Sequence, residues 1–178
     1  MEYAYLVASL PVLTFGAEVP TTSAQFAAAC EGPLREDHLA DIRAIMAGRP
    51  EAARHPAVKW YVARETQLRS ALARARAQRA GVDPQRYLHP FSGYDMQTDD
   101  VVAQAVNTPD PLERTLALDR HRWRLLDQMV GAETFGVAAV FAYAFKLLLA
   151  ERLQSLSEAE GTRTAETVVH DSLARLSL

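Results

Sequence analysis

At 178 residues, 49% hydrophobic and 23% charged, the chain has an ordinary globular composition, which excludes wholesale disorder. A chain of this length buries roughly two-thirds of its unfolded surface, so one core suffices without a disulfide or metal staple. A formal net charge of −3 and a pI near 5.9 exclude a global attraction to nucleic acid or anionic lipid and leave any polyanion to a local patch.

The first twenty residues are apolar and punctuated by Pro11, Gly16 and Pro20, which fits a short helix or an extended segment that returns by a turn. Glu2 stands where a signal peptide would carry basic residues and Pro11 interrupts the apolar run, so secretion is not expected. "TTSAQFAAACEG" predicts a short helix with Thr22 or Ser23 as N-cap and Gly32 as stop. It carries Cys30, the only cysteine, which cannot form an internal disulfide and reads as a small hydrophobe in a reducing compartment. "REDHLADIRAIMAG" predicts a second helix ending at Gly48, with Ile42, Ile45 and Met46 inward. His38 and Asp41 share a spacing that a metal site could use, but acids in a first helical turn favour the macrodipole regardless.

A long basic amphipathic helix is expected from His55 to Ala80, opened by Pro56 and closed by Gly81. Its apolar stripe is Val58, Tyr61, Leu68, Leu72 and Ala75, and Arg64, Arg69, Arg74, Arg76 and Arg79 decorate the rest. The turn-rich stretch that follows, about 82–97, is a soft boundary inside one domain spanning 1–178. Next come a short capped helix in "TDDVVAQAVNT" and a longer one in "DPLERTLALDRHRWRLLDQMV", with Asp110 as N-cap and Pro111 at its first position. "GAETFG" is short enough to make the following helix, about Thr134 to Gln154, its antiparallel neighbour. A final amphipathic helix places Ala165, Val168, Val169, Leu173 and Leu176 inward. With no β alternation, the expected fold class is all-α, a single-domain helical bundle with a helical hairpin in its C-terminal half.

Lys146 is the anomaly in the oily run "VAAVFAYAFKLLLAERL", whose neighbours one turn away, Ala142, Tyr143, Leu149 and Ala150, offer no acid. On the preceding helix Asp119 interrupts an apolar stripe of Leu112, Leu116, Trp123, Leu126 and Val130. Both lie eleven residues from the turn, about 16 Å at 1.5 Å per residue, so a structural ion pair between Asp119 and Lys146 is expected to fix the hairpin register. The competing arrangement has Lys146 reaching solvent and Asp119 pairing with Arg122 on its own helix.

Phosphate-loop, G-x-S-x-G and H-E-x-x-H signatures are absent, and no catalytic residue, cofactor or metal is expected. An alternative site would gather His89, Tyr94, Asp95, Asp99 and Asp100 around the central loop, as a small-molecule-binding enzyme or sensor. A nucleic-acid reading would use the basic helix with Trp60 and Tyr61, yet a surface for an acidic protein partner fits it better.

In order, "YAYLVASLP", "ETQLRSALARARAQRAG", "DPLERTLALDRHRWRLLDQM" and "VFAYAFKLLLAERLQSLSEAEG" resemble a bacterial family of unknown function encoded among the subunits of V/A-type rotary ATPases. The second and fourth segments are also similar to helices of that enzyme's C-type component, the funnel-shaped socket between central stalk and membrane rotor. The resemblance implies an all-helical, non-catalytic protein, cytoplasmic and peripheral to the membrane through the ATPase. Such a protein would act as an accessory, assembly or stalk-associated part of the ATPase, with V/A-type ATPase subunits as its partners, no nucleic acid and no direct membrane insertion. The positions that carry over are Arg69, Arg74 and Gly81, with Glu113, Asp119, Trp123, Tyr143 and Lys146 in the hairpin. The chain is much shorter than the socket protein and lacks its repetition of helical units, so an accessory role fits better than the full socket.

Overall fold

The computed structural model describes residues 2–176, with side chains through Leu156. Seven α-helices follow in order: α1 Ala4–Ser9, α2 Ser23–Cys30, α3 Glu36–Met46, α4 Pro56–Ala80, α5 Met96–Asn107, α6 Pro111–Val130 and α7 Val137–Leu176. Two short 3-10 turns, Pro50–Ala52 and Gln85–Tyr87, complete the elements, and no strand occurs among the described residues. The protein is all-α, a helical bundle.

The helix ends follow local chemistry. Thr22 and Gln25 form a reciprocal capping box on α2. Pro56 fills the first position of α4, where a missing N–H costs nothing, and α4 stops at Gly81, whose φ of +67° lets Val82 N–H reach the Ala77 carbonyl at 3.0 Å. Asp110 caps α6 by accepting from Leu112 N–H at 2.8 Å. By contrast α5 starts at Met96, two residues ahead of the stretch beginning at Thr98 in which the sequence places this helix, because Asp95 accepts from both Gln97 and Thr98 N–H groups and Thr98 lies inside the helix.

The sequence separates a helix ending near Gln154 from a final one, whereas α7 is a single helix of 40 residues. No proline interrupts this stretch, and one interior glycine, Gly161, costs only about 1 kcal/mol relative to alanine. The inward positions expected at Ala165, Val168, Val169, Leu173 and Leu176 lie outside the described side chains.

Three apolar clusters hold the bundle. The largest joins α1, α2 and α3 to α7 through Leu6, Phe26, Cys30, Ile42, Ile45, Phe141 and Leu147. Cys30 is fully buried there, and burial pushes its thiol up to about 11, so it behaves as the expected small hydrophobe. A second cluster packs α4, α5 and α6 through Leu68, Val102, Ala105 and Leu118, and a third joins α4, α6 and α7 through Tyr61, Leu125, Leu126 and Ala142. α4 therefore touches three other long helices and buries residues on most of its faces, including the polar Gln67 and Ser70. The expected single apolar stripe describes only part of it: Leu72 and Ala75 are half-buried.

Both readings of the N-terminal segment hold, since α1 is followed by extended chain. Tyr3 N–H donates to the Phe135 carbonyl at 3.2 Å in the α6–α7 turn. Farther on, Phe15 meets Trp123 edge-on at 5.6 Å, and Glu151 of α7 accepts from the backbone and hydroxyl of Ser23 at 2.8 and 2.5 Å. The segment thus runs the length of the hairpin, and a carboxylate seats on the positive end of α2.

Candidate functional site

The α6–α7 hairpin is tied by opposite charges, but not by the pair expected. Lys146 Nζ lies 2.5 Å from Asp127 Oδ1 and 4.9 Å from the Trp123 ring centre. Asp119, fully buried, instead accepts from Arg152 of α7 and from Arg122 at 2.8 Å. The expectation of equal height fails because helical side chains lean toward their own N-terminus. In an antiparallel pair the α6 acids lean away from the turn and the α7 bases lean toward it. Each base therefore meets an acid nearer the turn: Lys146 is nine residues into α7, whereas Asp127 is three from the end of α6. The Asp119–Arg122 contact of the competing arrangement is also present, alongside the inter-helix tie.

Asp119 belongs to a longer chain of charges. Arg122 forms a two-pronged pair with Glu65 of α4 at 2.8 and 3.0 Å, and Glu65 accepts from Arg69 at 2.9 Å. Burial would raise the Glu65 carboxyl, but the Arg122 and Arg69 guanidiniums hold it below its ordinary value. Burial likewise opposes the Arg122 charge, and Glu65 with Asp119 more than offsets that, so its pKa moves up. Three helices are joined by ions whose arginines stay charged at every working pH.

Two residues farther along α4 and α6, at Gln67 and His121, sits a cluster of hydrogen bonds. Fully buried Gln67 donates to the Asp95 carbonyl at 2.7 Å and to Asp99 at 3.2 Å, and accepts from Asp95 N–H at 3.0 Å. The Thr98 hydroxyl donates to Asp95 at 2.6 Å and lies 2.8 Å from His121 Nε2. Its one proton being given to Asp95, His121 must donate from Nε2, which leaves Nδ1 bare. That Nδ1 is buried and without a partner among the described residues. Burial, reinforced by Arg124, lowers the His121 pKa against the pull of Asp95. Asp95 is itself lowered, because hydrogen bonds from Thr98 and backbone N–H groups outweigh its burial.

The expected arginine row is largely engaged within the molecule. Arg64 lies over Trp60 at 5.2 Å and reaches the Ser92 carbonyl at 3.4 Å, Arg69 holds Glu65, and Arg74 lies 3.6 Å from Asp99. Arg79 donates to the Val106 carbonyl at 2.5 Å, supplying a cation to the C-terminal end of α5. Arg76 is exposed and has no partner among the described residues. These bonds fasten residues 82–95 back along α4 as a strap. Gly93 is required in it, since its φ is +70° and a Cβ there would lie 3.0 Å from the Arg64 guanidinium.

Of the central-loop candidates, Tyr94, Asp95 and Asp99 are brought together: Tyr94 donates to Asp99 at 2.6 Å, and Asp99 meets Gln67 and Arg74. No hydrogen bond or ion pair among the described residues joins His89 or Asp100 to them, although the Asp99 hydrogen bond and, after it, the Asp100 charge help to raise the Tyr94 pKa. His38 hydrogen-bonds the Tyr3 hydroxyl at 2.7 Å, and Asp41 accepts from Arg54 and His55 N–H groups at 2.8 and 2.9 Å, so both act as structural ties. No group of metal-binding side chains occurs among the described residues. Sequence reasoning misses Glu65, Gln67, His121 and Arg152; the Glu65–Arg69 spacing of four is the one visible signal.

Two cavities accompany this frame. A groove of about 540 Å³ between the N-terminal segment and the hairpin is lined by Phe15, Leu112, Leu116, Arg120, Leu153 and Leu156, among others. A smaller one, about 340 Å³, is lined by Val82, Asp83, Arg86 and Tyr87.

Residues 96–173 match the model of a family described as "Protein of unknown function (DUF2764)". The match takes in α5, α6 and most of α7, hence Asp119, His121, Lys146 and Arg152, and leaves out α4 with its arginines. No curated protein and no solved structure matches the chain. No helix of the described residues is long and apolar enough to cross a membrane.

Proposed function

We propose that the chain is a non-catalytic helical docking protein, an accessory, assembly or stalk-associated part of a V/A-type rotary ATPase. The choice of partner comes from the resemblance of the four helical segments, and the non-catalytic reading is supported by geometry. The observation that carries it is that Asp119 and Lys146, the two anomalous charges of the hairpin, line neither cavity and serve as helix-to-helix ties. An enzyme or sensor using them would need a cavity that holds both. The alternative, a small-molecule site near the central loop, has in its favour the cavity beside Val82 and Tyr87.

The test is affinity purification of the tagged chain from cells that express the ATPase beside it. Stoichiometric recovery of ATPase subunits is expected. Recovery at background level, with the chain folded by circular dichroism, removes the ATPase assignment.

A further inference from the structure

The strap between α4 and the start of α5 concentrates exposed apolar side chains. Nine large hydrophobic residues are exposed among the described residues, and four of them, Val82, Tyr87, Tyr94 and Met96, fall within fifteen consecutive positions. Scattered exposed hydrophobics need no explanation, whereas a concentration of tyrosine, methionine and valine beside arginine has the composition of an interface centre.

This surface is also held in place. Gln67 grips the Asp95 backbone, Arg64 reaches Ser92, and Tyr94 is fixed through Asp99 to Arg74. These bonds anchor residues 92–95, and Val82 N–H is held by the Ala77 carbonyl at 3.0 Å, so the strap is fixed at both ends, which lowers the ordering cost of binding.

Its charge is unbalanced. Arg86 stacks on Tyr87 at 4.6 Å and bonds the Tyr87 hydroxyl, with no carboxylate partner among the described residues. Arg79 bonds only oxygens of uncharged groups, and Arg76, five residues before the Gly81 cap, is free of partners among the described residues. Asp83, which lines the cavity beside Arg86, keeps its negative charge while accepting from Gln85 N–H at 3.0 Å, and offsets one of these arginines. Along residues 76–87 the three arginines Arg76, Arg79 and Arg86 thus stand against one acid, Asp83, so a molecule of net charge −3 carries a local excess of positive charge on the segment that holds a small cavity between Val82 and Tyr87.

We infer that this face docks an acidic protein segment carrying one large apolar side chain, the side chain seated against Val82 and Tyr87 and the carboxylates met by Arg86 and Arg76. The inference rests on the docking reading above but not on the identity of the ATPase.

The full chain is used as bait for a displayed library of random linear peptides. Enriched peptides should combine aspartate or glutamate with an aromatic or branched aliphatic anchor. A synthetic copy of one should bind at least tenfold more weakly to Tyr87→Ser and to the double variant Arg76→Glu with Arg86→Glu, and more weakly as salt rises. Tyr5→Ser, an exposed tyrosine outside the strap, should bind as the parent does. No enrichment, or enriched peptides indifferent to the strap variants, overturns the inference. The same variants in the affinity purification separate the two proposals. Undiminished recovery of ATPase subunits together with no strap-dependent peptide binding sinks the strap and spares the ATPase, while peptide binding as described without recovery does the reverse.

Discussion

Two polar clusters lie side by side on α4 and α6, and they hold the bundle by different physics. One is a chain of ions, Arg69–Glu65–Arg122–Asp119–Arg152, joining α4, α6 and α7. The other is a set of hydrogen bonds, Gln67–Asp95–Thr98–His121, joining α4, α5 and α6. The ionic cluster is indifferent to pH near neutrality, because arginine does not lose its proton and Glu65 is held ionised. The hydrogen-bonded cluster contains a neutral histidine with an unpartnered nitrogen, so acid should loosen it first. The contrast separates a permanent fastening of the hairpin from a conditional fastening of α5.

The largest expected effect breaks the ionic side. Asp119→Ala leaves Arg122 with Glu65 alone and Arg152 with no acid among the described residues, and should cost about 3 kcal/mol, the low end for breaking a buried ion pair, because Glu65 still partners Arg122. Urea unfolding monitored by circular dichroism would measure it, and a loss below about 1 kcal/mol would show that the network is not what holds α6 to α7.

An intermediate effect tests the other cluster through pH. The unfolded His121 takes a proton near about pH 6.5, while the folded ring resists it to a lower pH. Stability should therefore be full above that value and fall as pH drops through the window below it. Amide exchange in α5 should accelerate on acidification, and His121→Gln should flatten that dependence. Some global pH dependence should persist, since burial and His38 lower His55 as well. Exchange in α5 equal at pH 7 and pH 5 would remove the distinction between the clusters.

The smallest effect is expected at Lys146, the residue that looks most anomalous in sequence. Its partner Asp127 is 60% exposed, so Lys146→Met should change stability by less than about 1 kcal/mol. A loss comparable to that of Asp119→Ala in the same urea titration would mean that the hairpin depends on this tie after all.

Much of the fold is local and therefore legible. Pro56 and Gly81 bracket α4, Asp110 with Pro111 starts α6, and Thr22 caps α2, because each satisfies a backbone group within a few residues of itself. The burial of Asp119 is legible too, since it interrupts an apolar stripe at helical spacing. The α5 start is not, because Asp95, Thr98 and Asp99 are all competent caps, and the choice among them is made by Gln67, which fixes the Asp95 backbone from another helix.

Only the tertiary structure could decide which charges meet. Acid and base at equal height from a turn are not partners when side chains on antiparallel helices lean in opposite directions, and a shift of six residues along α7, about 9 Å at 1.5 Å per residue, exchanges Lys146 for Arg152 as the contact of Asp119. It likewise turned an apparently solvent-facing row of arginines into fastenings for a strap and for the end of α5, because α4 is surrounded by neighbours that no periodicity along α4 itself encodes. The sequence determined where most helices begin and end and which residues are too apolar or too anomalous to be idle. Partner choice required the packing, since an ion pair depends on distances of a few ångströms between groups far apart along the chain.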